Sequence, residues 1–303
     1  MKIAAKSRHH KTGDGWKSAP QRYTRCLRTS VAVLTCCLVF LGAVFAEEQQ
    51  NVLTAAEKTA GWVLLFDGKT MNHWQDPAKL NPPGDAWTIE DGCLKAVAKP
   101  RIDEELVSTE TYEDFELQWD WRILPGGNSG VKYRVQAFPV LTHATVPPGA
   151  TKFEAKANYA VEHHFFDRSL IPSTGKAQIY VVGFEYQMLD NSRNPDAKVG
   201  GIHQAGALYD ILAPVKDATK PPGQFNHSRL VVRGDHFEHW LNGDKVIDIT
   251  VNPEMLQRGL TRRWGADSPV AHLLSLQPKK DCPITLQNHN DEAWFRNIKI
   301  RKL

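Results

Sequence analysis

From Phe115 to Ile123 the chain reads Phe-Glu-Leu-Gln-Trp-Asp-Trp-Arg-Ile, with apolar residues at the odd positions and Glu, Gln, Asp and Arg at the even ones. Strict alternation marks a strand with one face buried and the other turned to solvent. Val131–Gln136 and Phe184–Met188 repeat the pattern, and Leu230–Val232 and Phe237–Leu241 lead into Asn242-Gly243 and then Lys245–Val251. An Asn-Gly pair between alternating runs predicts a tight hairpin, because both central residues of a type I′ turn need positive φ. Ile284–Gln287 and Trp294–Lys302 close the chain as further strands. Helical periodicity is confined to 50–61 and 252–259, the second opened by Asn252-Pro253-Glu254 with its cap, first-turn proline and acid. Many short strands punctuated by turns predict an all-β protein, an antiparallel β-sandwich.

Alternation also assigns faces. If Val131, Tyr133 and Val135 point into the core, then Lys132, Arg134 and Gln136 point out. The same logic turns Glu185 and Gln187 away from Phe184, Tyr186 and Met188, and sets Gln287 and His289 opposite Ile284 and Leu286. Such a face reads either as solvated sheet surface or as planar polar side chains converging on a polyhydroxylated ligand. His227, His236 and His239, beside the hairpin, read as surface residues.

The first 46 residues differ from all of this. Eight Lys and Arg against Asp14 precede the apolar run Val31–Phe45, which ends in Val44-Phe45-Ala46. A basic leader, a 15-residue apolar stretch and small residues at the exit predict a secretory signal peptide cleaved near Ala46. The run is shorter than the roughly 20 residues of a spanning helix, so no stable membrane span is expected in the mature chain. Export to the periplasm or the extracellular space follows. The whole chain has 37 Lys and Arg against 34 Asp and Glu; without the leader it has 29 against 33. The basic balance therefore belongs to the leader, and no clustered Lys/Arg face suggests nucleic acid. Only Cys93 and Cys282 lie beyond it, as one disulfide or two buried thiols. Residues 47–303 form one domain, punctuated but not divided by Pro-Pro-Gly loops.

Several ordered segments then carry a resemblance. They include Leu64–Thr70 with Trp74, Trp87–Leu94, Tyr112–Leu117, Asn128–Arg134, Phe184–Asp190, Gly206–Asp210, Leu241–Gly243, Ile284–His289 and Trp294–Ile300. Together they span nearly the whole of 47–303, and the chain resembles the 3-keto-disaccharide hydrolase family. The resemblance implies a concanavalin A-like jelly roll, a carbohydrate cleft on the concave sheet, and hydrolysis of sugars already oxidised at C3. Two departures stand out. An insertion at about 137–182 carries His143, Glu162, His163, His164 and Asp167, and near the last motif Asp281-Cys282-Pro283 and Asn290 replace expected glycines.

A retaining glucanase of this fold would alternate acids along one strand, but the comparable stretch is Glu185-Tyr-Gln187-Met-Leu-Asp190. Gln187 cannot ionise and Asp190 differs from it in parity, so the close carboxylate pair of a conventional glycosidase is missing. A 3-keto sugar removes that need. Its ketone acidifies the C2 hydrogen, so one base can start a β-elimination at C1, with water adding back to the enone. Glu185 or His203 is the expected base, His289 or Asp190 the acid, and Arg134 the stabiliser of the C3 oxyanion. Asn128, Gln187, Tyr209 and Gln287 are expected to hold hydroxyls. No cofactor is required; a divalent metal on Glu185, Asp190 and His203 is the alternative electrophile, without a His-x-x-x-His spacing to support it. The competing class is a non-catalytic carbohydrate-binding module. The nine Trp mostly take core parity, which favours the enzyme.

Overall fold

The computed structural model describes residues 49–76, 86–138, 140–142, 171, 173–264, 274–275 and 281–303. The leader and His143, Glu162, His163, His164 and Asp167 lie outside them. In chain order the strands are β1 (Val63–Leu64), β2 (Trp74–Gln75), β3 (Trp87–Glu90), β4 (Cys93–Ala96), β5 (Ile102–Asp103), β6 (Leu106–Ser108), β7 (Phe115–Ile123) and β8 (Asn128–Ala137). There follow β9 (Val140–Thr142), β10 (Ala177–Ile179), β11 (Val182–Leu189), β12 (Asn226–Arg233), β13 (His236–Leu241), β14 (Asp244–Thr250), β15 (Thr285–Leu286) and β16 (Ala293–Lys302). One large sheet runs β14-β13-β12-β7-β16-β4-β3, with β1 beside β16, and the other runs β11-β8-β15-β6-β2. Pairing within both is antiparallel. The fold is the expected all-β, concanavalin A-like jelly roll.

The core fills the space between the two large sheets. All five apolar positions of β7, from Phe115 to Ile123, are buried, and each such side chain stabilises the fold by roughly 1.5–3 kcal/mol. Rings from opposite sheets interlock: Trp119 meets Tyr186 edge-on at 4.9 Å, and Tyr133 meets Phe237 at 5.3 Å. Trp62, Trp74, Trp87, Trp119, Trp121 and Trp294 are all buried, so they offer no exposed platform for stacking on glycans.

Local signals act where they are written. Asn242 and Gly243 take φ of 51° and 90°, closing the β13–β14 hairpin as expected. Thr54 and Glu57 form a reciprocal capping box on the helix α1 (Ala55–Thr59). The second helix, α2 (Pro253–Trp264), runs beyond the predicted 259 because Leu256 and Leu260 share one face and are buried together.

Two expectations are corrected or closed. His239 is not a surface residue: it is 0% exposed. Period 2 along β13 sets it on the side of Phe237 and Leu241, between the sheets, where Nε2 meets the Tyr133 hydroxyl at 3.0 Å and Nδ1 the Gly206 carbonyl at 2.9 Å. Cys93 and Cys282 are buried thiols, not a disulfide. The described part of the 137–182 segment supplies β9 and β10, which join β5 in a small third sheet.

Candidate active site

The site is built on the face of the five-stranded sheet that points away from the core. β8 contributes Asn128 and Lys132, β11 contributes Glu185 and Gln187, and the chain after β15 contributes Gln287 and His289. Antiparallel register sets Glu185 opposite Lys132, and Thr285 on Lys132's other side. A cavity of about 390 Å³ opens over this face. Its walls come from elsewhere in the chain: Gln178, Ile179 and Tyr180 from the end of β10, Tyr209 and Asp210 from a loop, and Arg262 and Arg263 from the end of α2. Gly130 makes room for the floor, since a Cβ there would stand 3.0 Å from Glu185 Oε1 and 3.2 Å from its Cγ.

Glu185 is 3% exposed, yet four groups compensate its charge. Arg263 Nη2 donates to Oε2 at 3.2 Å and Gln287 Nε2 to Oε1 at 3.2 Å. Burial alone would push its pKa up; the fields of Lys132, Arg263 and His289 outweigh burial and hold the carboxyl below its ordinary value. Lys132 is buried with Glu105, which also accepts from the Thr285 hydroxyl. Burial works against the Lys132 ammonium, but Glu105 and Glu185 keep it above the usual lysine value, and burial raises Glu105. Lys132 Nζ lies over the Tyr180 ring at 5.2 Å. The floor thus carries an ionised carboxylate between the buried Lys132 and the half-buried Arg263. Two side-chain carbonyls in the lining, Asn128 Oδ1 and Gln287 Oε1, are buried without a hydrogen-bond partner, acceptors suited to hydroxyl donors.

Of the residues expected from sequence, Glu185, His289, Asn128, Gln187, Tyr209 and Gln287 all line this cavity. Three do not. Arg134 sits in a bulge of β8, with φ of 53°, where the register with β11 shifts between Val182 and Phe184. The extra residues re-aim its guanidinium to the Gly234 carbonyl at 2.9 Å and Asp114 at 3.4 Å, so it cannot stabilise an oxyanion in the cavity. Asp190 follows β11 directly, on the other parity; its oxygens accept from Gly126 N at 2.8 Å and from Ser192 Oγ at 2.6 Å. Burial would raise it, but these bonds win and hold it low, as a turn-forming carboxylate and not an acid catalyst. His203 lies one layer behind the wall, with Nδ1 at 2.7 Å from Asp196 and Nε2 at 2.9 Å from Asp210.

The metal set Glu185, Asp190 and His203 is therefore dispersed over three places. Among the described residues, the grouping of His, Cys and acid side chains close enough to share an ion is His236, Glu238 and Asp248. It lies on the other sheet, and Lys245 Nζ already bonds to Glu238 at 3.1 Å and Asp248 at 2.6 Å. Asn290 is easily accounted for: its φ of 66° is the conformation a glycine there would take, and Asn tolerates it well.

Sequence reasoning missed Lys132, Glu105, Tyr180, Asp210 and Arg263 as site residues. Lys132 shares a face with Arg134 in the alternation and faces Glu185 across the ladder, a pairing that strand order would have exposed. Asp210 follows Tyr209 within a motif already singled out. Arg263 and Tyr180 have no local signal, since only folding brings α2 and β10 to this sheet.

The lectin-like sandwich with a polar, charged cavity on one outer sheet face fits a carbohydrate-active enzyme, and the chain's family and relatives assign it to the glycoside hydrolase or lyase class. The chain belongs to the 3-keto-alpha-glucoside-1,2-lyase-like family, whose domain it matches over residues 61–301. It is 28% identical over 264 residues to a 3-keto-disaccharide hydrolase of Bacteroides thetaiotaomicron, covering 80% of this chain and 79% of that one. A predicted glycosyl hydrolase from Parabacteroides distasonis, known from its crystal structure, shares 25% identity with a TM-score of 0.61, covering 84% of this chain and 100% of that one.

Proposed function

We propose that the protein is an exported enzyme that cleaves 3-keto-glycosides by proton abstraction at C2, β-elimination at C1 and addition of water. The observation that supports this most is the buried Glu185 carboxylate, ionised between Lys132 and Arg263. A carboxylate placed this way suits a base, and a fixed cation suits an enolate oxygen. Glu185 takes the C2 proton. The electron pair moves into the C2–C3 bond, and the C3 oxygen becomes an enolate facing the Lys132 ammonium, which replaces Arg134 in that role. Collapse of the enolate forms the C1–C2 double bond and breaks the C1–O bond, and the departing oxygen takes a proton from His289 at the exposed rim. Water then adds to C1 of the enone and gives its spare proton to His289, while Glu185, its proton exchanged with solvent, protonates C2. The sum is hydrolysis with the ketone retained. Asn128, Gln187 and Gln287 hold the sugar hydroxyls, and no step calls on a metal. The basic leader and apolar run support delivery across the membrane, where glycosides are met.

The test is incubation with a 3-keto-glucoside and with the unoxidised glucoside in deuterated water, following aglycone release. Release from the keto form alone is expected, with solvent deuterium at C2 of the product. Glu185→Gln should slow it by roughly 10²–10⁴-fold. Glycan binding without turnover of either compound would make the protein a binding module, and release without deuterium at C2 would exclude the elimination.

A further inference from the structure

Three hydrogen bonds run in a chain from Tyr209 and Asp210 of the cavity wall through Asp196 and His203 behind it. His203 bridges Asp196 Oδ1 at 2.7 Å and Asp210 Oδ1 at 2.9 Å, and the Tyr209 hydroxyl donates to Asp196 Oδ2 at 2.9 Å. The rings of His203 and Tyr209 lie 4.6 Å apart. The other oxygen of Asp210, Oδ2, faces Arg263 Nε at 3.4 Å, while the Tyr209 ring lies 4.5 Å from the same guanidinium. Arg263 Nη2 then spans Glu185 Oε2 at 3.2 Å and the Tyr180 hydroxyl at 3.3 Å. The Asp210 carbonyl also accepts from Arg262, so this one residue holds the end of α2 by backbone and side chain together. The helix comes this close because position 259 is glycine: a Cβ there would stand 2.7 Å from Ile211 Cγ1 and 3.2 Å from the Asp210 carbonyl oxygen.

We propose that Asp210, held by His203, is a positioning residue that orients the Arg263 guanidinium against Glu185. A guanidinium is a rigid planar fork, so tying Nε on one edge and stacking the plane on Tyr209 fixes where Nη2 points. Arg263 and Gln287 then hold both oxygens of Glu185, and the carboxylate cannot turn. Proton transfer needs that fixed reach to C2. His203, expected from sequence as an alternative base, supports the base instead.

This inference rests on Glu185 being the base, so the test has two arms that fail separately. Hydrogen exchange at Arg263 Nε–H, followed by heteronuclear NMR without substrate, should quicken by roughly tenfold or more in Asp210→Asn. Unchanged exchange in the folded variant would overturn the proposal. In the second arm, Asp210→Asn should lower kcat on 3-keto-glucoside on the order of a hundredfold with KM nearly constant. Asp210→Glu, which returns a carboxylate to Nε, should restore part of the rate. A lower Tm with kcat unchanged would reduce Asp210 to a structural residue and overturn the proposal too. If Asp210→Asn does not fold, His203→Gln carries both readouts. If the unaltered protein leaves the keto sugar intact, the functional reading falls and the exchange arm alone decides the positioning role.

Discussion

His239 makes the fold sensitive to acid in a way that can be worked out from its surroundings. A carbonyl oxygen only accepts, so Nδ1 carries the hydrogen bonded to Gly206, and Nε2 accepts from the Tyr133 hydroxyl. Burial between the sheets brings its pKa down from 6.5 to about 4, although the Gly206 carbonyl pulls the other way. The folded protein therefore favours the neutral ring. Above pH 6.5 neither state binds the proton and the stabilisation is fully present; as pH falls toward 4 the unfolded chain takes up the proton and the folded one does not. The difference of about 2.5 pKa units corresponds to about 3 kcal/mol in all, of which about 2 kcal/mol is lost between pH 7.5 and pH 5. Other groups also titrate there, so the measurement is a comparison: urea unfolding of the protein and of His239→Gln at both pH values. The gap in unfolding free energy between the two should shrink by about 2 kcal/mol at the lower pH. Parallel losses, with the gap unchanged, would refute the idea that this buried imidazole titrates with folding.

The remaining predictions concern the site and one turn. Lys132→Met strands Glu105 without its counter-charge and should cost about 3–5 kcal/mol in urea unfolding. Lys132→Met combined with Glu105→Leu should regain most of that stability while staying inactive on 3-keto-glucoside; recovery of activity would remove Lys132 from the mechanism. Gly243→Ala meets nothing within 4 Å, so its cost comes from the backbone at φ of 90° alone. It should be about 1 kcal/mol, read as a Tm lower by about 2–4 °C.

The period-2 alternation is written in neighbouring residues, so it foretold much of the fold and part of the site. It placed Trp119, Tyr133 and Tyr186 in the core and Glu185, Gln187 and Gln287 together on the opposite face. Asn242-Gly243 fixed a hairpin because the needed dihedrals belong to those two residues themselves. The same alternation also marked His239 as inward, between Phe237 and Leu241, and proximity to a turn was the wrong reason to place it outside. Arg134 shows where the rule stops: a bulge depends on what the partner strand does, and it turned a residue of the right parity away from the cavity. Arg263, Tyr180 and Asp210 reach Glu185 from α2, β10 and a loop that are distant in sequence. The sequence by itself determined which residues share a sheet face, since that is local stereochemistry. Only the tertiary structure decided which cations flank Glu185, because the field at a buried carboxylate comes from whatever the rest of the chain packs around it.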